Sequence, residues 1–305
     1  MKSNALLYRR RAIQEKVCNM AEKIFLNDRL EDIDSASISV RDSGLLYGAG
    51  LFETMRSYNG KVFALDEHIN RMIDSGEKLA INIPEKDFLA EAVNKTIEAN
   101  GLKDARVRVT VTNGSMSSEE EGPRPTVLVT ATEMQNYPPQ YYTEGVLVVL
   151  CPYRQNPTDP TCGHKTLNYL PRMMGLKFAH ERRAAEALWF SIEGKLAEGC
   201  ISNVFLIKDK KLFTPKVDTP ILAGVIRREV IAIAKTNSIE THQEDLTIDD
   251  VLNADEVFVT NSIMEIMPVS RIEKHVVGEG KAGNLTRLLC DKLKELIKNQ
   301  CGKCK

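Results

Sequence analysis

The sequence predicts two domains, a small α+β domain followed by a larger domain built on a mixed α/β sheet. Three observations predict this. A chain of 305 residues that is 43% hydrophobic holds enough apolar material for two cores. Strand-like alternation and helical runs share the first 136 residues, and the pattern breaks at Tyr137-Pro138-Pro139-Gln140. A new apolar run then begins over 146–150. The expected boundaries are an extension over 1–19, a small domain over 20–136, a linker over 137–144, a large domain over 145–299 and a tail over 300–305.

The extension lacks strand alternation, whereas Met20-Ala21-Glu22-Lys23-Ile24-Phe25-Leu26 opens a strand and turn, so Met20 is read as the natural start. Strands follow over 51–58 and 62–64, joined by Asn59-Gly60. That pair tolerates positive φ and is a strong hairpin signal. Helices are expected over 66–79 and 85–100, the second closed by Gly101 as a C-terminal cap. Strands over 105–112 and 126–132 flank a Gly/Ser/Glu-rich loop over 114–125.

In the large domain, Pro152, Pro157 and Pro160 mark a loop over 152–163 that delivers the chain to Lys165. Loops of that length in compact domains are often functional. A helix is expected over 166–185, strands over 187–192, 195–198, 203–208 and 256–260, and helices over 224–235 and 282–299. No internal repeat is visible.

Charge and cysteine usage narrow the function class. A net charge of -1 and a pI near 6.6 show no basic excess for nucleic-acid phosphates or anionic lipid. No apolar run approaches the ~20 residues of a membrane span, and Tyr8-Arg9-Arg10-Arg11 leads into no apolar signal core. Seven scattered cysteines fit reduced thiols. The expectation is a cytoplasmic protein with no nucleic-acid or membrane partner. Cys301 and Cys304 form a lone CxxC without a second ligand pair, and no metal is expected.

Candidate chemistry lies in four places. Lys165 follows a glycine-containing loop and precedes Tyr169 by four residues, which on a helix puts both on one face. Its amine becomes a nucleophile only by losing a proton, which apolar neighbours such as Leu167 and Leu170 favour. Glu198 ends a strand and offers a carboxylate to a protonated ring nitrogen. Gly224 opens a helix at Val225 and Ile226, whose free N–H groups and dipole suit a phosphate. Thr260-Asn261-Ser262-Ile263 places hydroxyls and amides at another strand end. Taken singly, each has an ordinary reading as a surface lysine, a solvent-facing glutamate, a helix start or a turn.

Together they carry more. Arg41-Asp42-Ser43-Gly44-Leu45-Leu46-Tyr47-Gly48, Leu51-Phe52-Glu53-Thr54-Met55-Arg56, His164-Lys165-Thr166-Leu167-Asn168-Tyr169, Glu198-Gly199 with Asn203 and Phe205, Gly224-Val225-Ile226-Arg227 and the stretch 260–269 occur in order. In this the chain resembles the class IV aminotransferases, the fold-type IV pyridoxal-phosphate enzymes with a D-amino-acid aminotransferase-like fold, over about 20–289. The resemblance implies pyridoxal 5'-phosphate as cofactor, with Lys165 as the Schiff-base lysine and proton carrier. It further implies Glu198 as partner of the pyridine nitrogen and Tyr169 as partner of the ring hydroxyl. Arg56, the amides of Val225 and Ile226, and Ser262 with Ile263 become the phosphate contacts. A homodimer working by a ping-pong mechanism is also implied.

Branched-chain aminotransferases, D-amino-acid aminotransferases and 4-amino-4-deoxychorismate lyases share these residues. The D-specific enzymes resemble one another in a Tyr and an Arg, where this chain has Leu45 and Asn113. Alternation over 105–112 sends Arg106, Arg108 and Thr110 to one face. Arg108 aligns with the substrate-carboxylate arginine of branched-chain enzymes, although Arg106-Val107-Arg108-Val109 replaces their Tyr-x-Arg-Pro; a structural salt bridge is the other reading. The balance favours an aminotransferase acting on a branched-chain L-amino acid or glutamate and a 2-oxo acid. The alternative is the lyase that releases pyruvate and 4-aminobenzoate. His68 precedes Arg71 on a helix, and His180, His242 and His275 show no acid-base partner in sequence; all four are read as structural or exposed, and Cys200 is given no role.

Overall fold

A computed structural model describes residues 22–115 and 124–302. The extension over 1–19, the start at Met20, the 116–123 part of the expected loop and Cys304 lie outside the described residues.

The first half contains β1 (Lys23–Leu26), β2 (Arg29–Asp32), α1 (Ser43–Tyr47), β3 (Gly50–Tyr58), β4 (Lys61–Val62), α2 (Leu65–Leu79), α3 (Lys86–Ala99), β5 (Ala105–Thr112) and β6 (Thr126–Glu133). Its strands form one antiparallel sheet in the order β2-β1-β6-β5-β3-β4. Asn59 and Gly60 both take positive φ, 53° and 81°, and close the β3–β4 hairpin as their side chains favour. The strand expected over 62–64 stops at Val62, because Ala64 turns to φ 53° to enter α2. Gly101 sits at φ 60° past the end of α3, where its N–H bonds the Glu98 carbonyl and that of Leu102 bonds Ile97, a Schellman closure.

Alternation on β5 divides the sheet into two faces. Val107, Val109 and Val111 are buried with Met55, Val129, Leu89 and Val93 beneath α2 and α3. Each such side chain contributes about 1.5–3 kcal/mol of burial. Arg106, Arg108 and Thr110 are left on the other face, which looks onto the second half of the molecule.

The second half contains α4 (Gln140–Glu144), β7 (Val146–Gln155), α5 (Leu170–Glu181), β8 (Glu186–Ser191), β9 (Leu196–Gly199), β10 (Asn203–Lys208), β11 (Lys211–Pro215), α6 (Val225–Thr236), β12 (Thr241–Glu244), α7 (Ile248–Leu252), β13 (Glu256–Asn261), β14 (Glu265–Ile272), β15 (His275–Val276) and α8 (Asn284–Cys301). A mixed sheet runs β12-β11-β10-β13-β14-β7-β8-β9, with β15 on β14. Phe205 and Phe258 pair across β10 and β13 and stack with centroids 5.0 Å apart, beneath α6 and α8. α8 continues to the buried Cys301, two residues into the expected tail. No described helix is long and apolar enough to cross a membrane.

Three differences from expectation bear on the site. β7 continues through Pro152 to Gln155, because the register shift between Leu150 and Arg154 accommodates a residue with no N–H. β14 was not anticipated. The helix expected over 166–185 spans only Leu170–Glu181. Pro171 lies in its first turn, and extending the helix upstream would set the ring against a preceding carbonyl. Residues 165–167 instead extend the first sheet: Phe52 N–H bonds the Lys165 carbonyl and Leu167 N–H bonds Gly50, both at 2.9 Å. The two-residue β4 leaves that edge of β3 open, so the lysine segment is locked where the two sheets meet.

Candidate active site

A cavity of about 1000 Å³ lies between the two sheets. Lys165, Tyr169, Glu198, Val225, Ile226, Ser262, Ile263 and Arg108 all line it. Arg56 does not. Its guanidinium bonds Glu265 at 3.2 Å and Asn136 at 3.0 Å and lies over the Tyr58 ring. Arg71 of α2, fifteen residues on, does line the cavity.

Phe52 organises the reactive end. The Lys165 Nζ lies 4.4 Å from its ring centre, Tyr169 packs edge-on at 5.0 Å, and the Arg108 guanidinium stacks at 3.7 Å. Lys165 and Tyr169 thus meet through this ring and not along one helix face. Burial pushes the Lys165 amine down to about 8, with Glu53 opposing and Arg71, Arg172 and Arg108 adding to the fall. An amine so lowered exists partly as the free base near neutral pH. Burial raises the Tyr169 phenol, which stays protonated and donates to the Cys200 carbonyl at 3.3 Å. Arg108 pairs with no carboxylate among the described residues; it bonds Thr110 Oγ1.

Glu198 is 2% exposed and fully engaged. One oxygen accepts from Arg172, the other from the Leu222 amide at 3.0 Å and Asn203 Nδ2 at 3.4 Å. Arg172 had not been singled out: it is a first-turn residue of α5 whose ion pair spans 26 positions. Beside it, buried Glu186 accepts from the amides of Ala187, Cys200 and Ile201 and from Ser202 Oγ, pinning the turn after Glu198.

At the other end, the N-terminus of α6 has Gly224 as N-cap, no side-chain cap and no acidic residue in its first turn. A side chain at Gly224 would collide with Asn203 Oδ1, so only glycine lets the two segments approach. Thr260 Oγ1 is buried on the cavity wall without a hydrogen-bond partner among the described residues. Ser262 Oγ meets His68 Nε2 at 3.1 Å, while the Ile263 N–H already donates to Asn261 Oδ1 at 2.9 Å.

His68, read as structural or exposed, is buried and partnered. It is 1% exposed, and its Nδ1 lies 2.8 Å from Glu53 Oε2. Glu53 also takes two bonds from Arg71, which further donates to the Ala223 carbonyl at 2.9 Å and comes within 3.5 Å of His68 Nδ1. Burial raises the Glu53 carboxyl, but Arg71 and His68 outweigh it and hold the group well below the carboxylate range. His180 lines the cavity and His242 meets Glu240 at the surface. Among the described residues, no group of three His, Cys, Asp or Glu side chains is placed to hold a metal.

A guanidinium, an uncapped twelve-residue helix N-terminus and an orphaned hydroxyl fit a phosphate, and the Lys165 amine fits an aldehyde. The residues present therefore suit pyridoxal phosphate. Residues 50–272 match the family described as amino-transferase class IV. The chain belongs to that family. It is 37% identical over 280 residues to a putative branched-chain-amino-acid aminotransferase of Methanocaldococcus jannaschii, covering 90% of this chain and 96% of that one. To a D-alanine aminotransferase of Listeria innocua it is 32% identical over 286 residues, covering 92% and 98%. The crystal structure of an Escherichia coli branched-chain amino acid aminotransferase superposes with a TM-score of 0.86 at 27% identity, over 91% of this chain and 95% of that one. The class IV assignment agrees with the expected fold, two-domain and fold-type IV.

Proposed function

We propose that this class IV aminotransferase binds pyridoxal 5'-phosphate at Lys165 and moves an amino group between an amino acid and a 2-oxo acid. The observation that carries the proposal is the buried Lys165 amine, lowered to about 8, in one cavity with a carboxylate already held by an arginine. Pyridoxal phosphate, when bound, supplies an electron sink beside the substrate's alpha carbon. Glu198 would hold the ring nitrogen and Tyr169 the ring hydroxyl. Arg71, the Val225 and Ile226 amides, Ser262 and Thr260 would hold the phosphate, so Arg71 takes the part first expected of Arg56. Lys165 Nζ moves the proton of the alpha carbon, and Phe52 and Tyr169 screen that amine from water.

A branched-chain L-amino acid or glutamate is the favoured donor. Asn113 is committed to the Asn82 amide and the Ala80 carbonyl, and neither it nor Leu45 lines the cavity, which speaks against the D-specific arrangement. The chain works as a cytoplasmic homodimer in this reading. Leu45 at 68%, Leu170 at 71% and Met173 at 52% exposure are large apolar side chains that a second copy would cover, Met173 being on the cavity wall. The domains divide at 136 and 145, between the end of β6 and the start of β7.

The test is the absorption spectrum of pyridoxal-phosphate-loaded protein before and after separate additions of L-leucine, L-glutamate and D-alanine. Conversion to the aminated cofactor by an L-amino acid is expected. A spectrum unmoved by all three contradicts the proposal and turns it towards the lyase.

A further inference from the structure

A carboxylate accepts hydrogen bonds at about four sites, and Glu198 has three of them filled. Arg172 Nη2 binds Oε1, while the Leu222 amide and Asn203 Nδ2 bind Oε2. The remaining site belongs to a side chain that lines the cavity. Asn203 also donates to the Leu222 carbonyl at 2.8 Å, so the neutral half of this cradle is fixed. Among the described residues, the cation paired with Glu198 is Arg172.

Arg172 reaches beyond that ion pair. Its Nη1 donates to the Gly199 carbonyl at 3.0 Å and lies 3.5 Å from that of Cys200, which also receives the Tyr169 phenol at 3.3 Å. Gln155 ends β7 and, with its amide turned so that both ends are satisfied, accepts from Arg172 Nη2 at 2.7 Å and donates to the Pro220 carbonyl. One guanidinium therefore joins the two residues that would hold the cofactor ring. The helix does not explain its position, because Arg172 is the third residue of α5, where a cation opposes the helix dipole. The Glu198 side chain is 3% exposed, and a carboxylate so buried needs a counter-charge.

We propose that Arg172 is a positioning residue for the ring end of the cofactor site, holding Glu198 directly and Tyr169 through the Cys200 carbonyl, and keeping Glu198 charged before the cofactor arrives. This rests on the reading above that the site takes pyridoxal phosphate. The titratable groups facing the guanidinium are Glu198 and Cys200 at the end of β9, Tyr169 at the start of α5, Cys162 in the loop before it, and Lys165. Among these, Glu198 supplies the counter-charge.

The visible absorption of the loaded protein, titrated with pH in the absence of any amino acid, tests the proposal. That absorption changes as the reacting end of the bound cofactor loses a proton, and a nearby positive charge lowers the pH of the change. Arg172→Gln should move the midpoint up by about one pH unit, the scale of one lost charge at an effective dielectric of about 20. Arg172→Lys keeps the charge without the fork and should restore most of the wild-type midpoint. A purely structural role would lower the melting temperature of both variants and leave the midpoint in place, which overturns the proposal, as does a lysine variant displaced as far as the glutamine one. Infrared difference spectra of the wild type on cofactor loading give a reading that needs no Arg172 variant. No protonated carboxyl band should disappear; loss of such a band, missing from the same spectra of Glu198→Gln, would mean that Glu198 was neutral in the empty site and overturns the proposal. Neither measurement involves an amino acid, so both fail separately from the absorbance assay that tests amino-group transfer.

Discussion

Replacing Lys165 with methionine should lower amino-group transfer by about a thousandfold or more, the range of a lost acid-base group, while making the cofactor-free protein more stable at neutral pH. The two effects share a cause. Burial lowers the folded-state amine from 10.5 to about 8. Below 8 the amine is charged in both folded and unfolded chains, and the folded state bears the full cost of a poorly solvated charge. Between 8 and 10.5 the unfolded chain binds more protons, so wild-type stability rises with pH. Methionine fills a similar volume without the charge, and the backbone bond from Phe52 to residue 165 is untouched. Melting curves should therefore show the variant ahead of wild type at pH 7, with the gap closing as pH rises from 8 to 10.5. A variant less stable than wild type throughout would mean that the amine is well solvated.

Glu53→Gln should produce the largest loss of stability, about 3 kcal/mol or more. Glu53 is 2% exposed, between the buried His68 imidazole and the Arg71 guanidinium. Neutralising it removes the counter-charge of Arg71, which keeps only neutral acceptors, the amide oxygen of the new side chain and the Ala223 carbonyl. The folded carboxyl is held far below its ordinary 4.5, so its stabilisation is complete above that value and is lost as pH falls towards the lowered folded one. Urea denaturation should show a wide gap between wild type and variant at pH 7 and a narrowing gap below pH 4.5. Cofactor affinity should fall as well, because Arg71 loses the contact that aims it. Unchanged affinity would separate this network from the phosphate end of the cavity.

Much of the fold was legible because its signals are local. Asn59-Gly60, Gly101 and the alternation of β5 each act through backbone conformation or facing within a few residues. β14 was illegible for a local reason too: Pro268 in its middle argues against a central strand, yet the strand runs between β13 and β7. The helix start was misplaced because Lys165 and Tyr169 have helical spacing, while Pro171 and the open edge of β3 decide the conformation.

In the site, Lys165 and Glu198 stood out by motif, and the structure brings both to one cavity. Arg71, Arg172 and His68 did not stand out, since each is defined by a partner distant in sequence: Glu53, Glu198 and Ser262. One signal was available for Arg71. His68 and Arg71 stand three apart on α2, on the face that meets β3 and Glu53, whereas Arg56 has only its motif.

The most direct test of the central claim is chemical. Borohydride reduction of the pyridoxal-phosphate-loaded protein fixes the cofactor to the amine that holds it, and peptide mapping by mass spectrometry names that residue. The expected result is one phosphopyridoxyl group per chain, on Lys165. Label on another lysine, or none on any, would contradict the account.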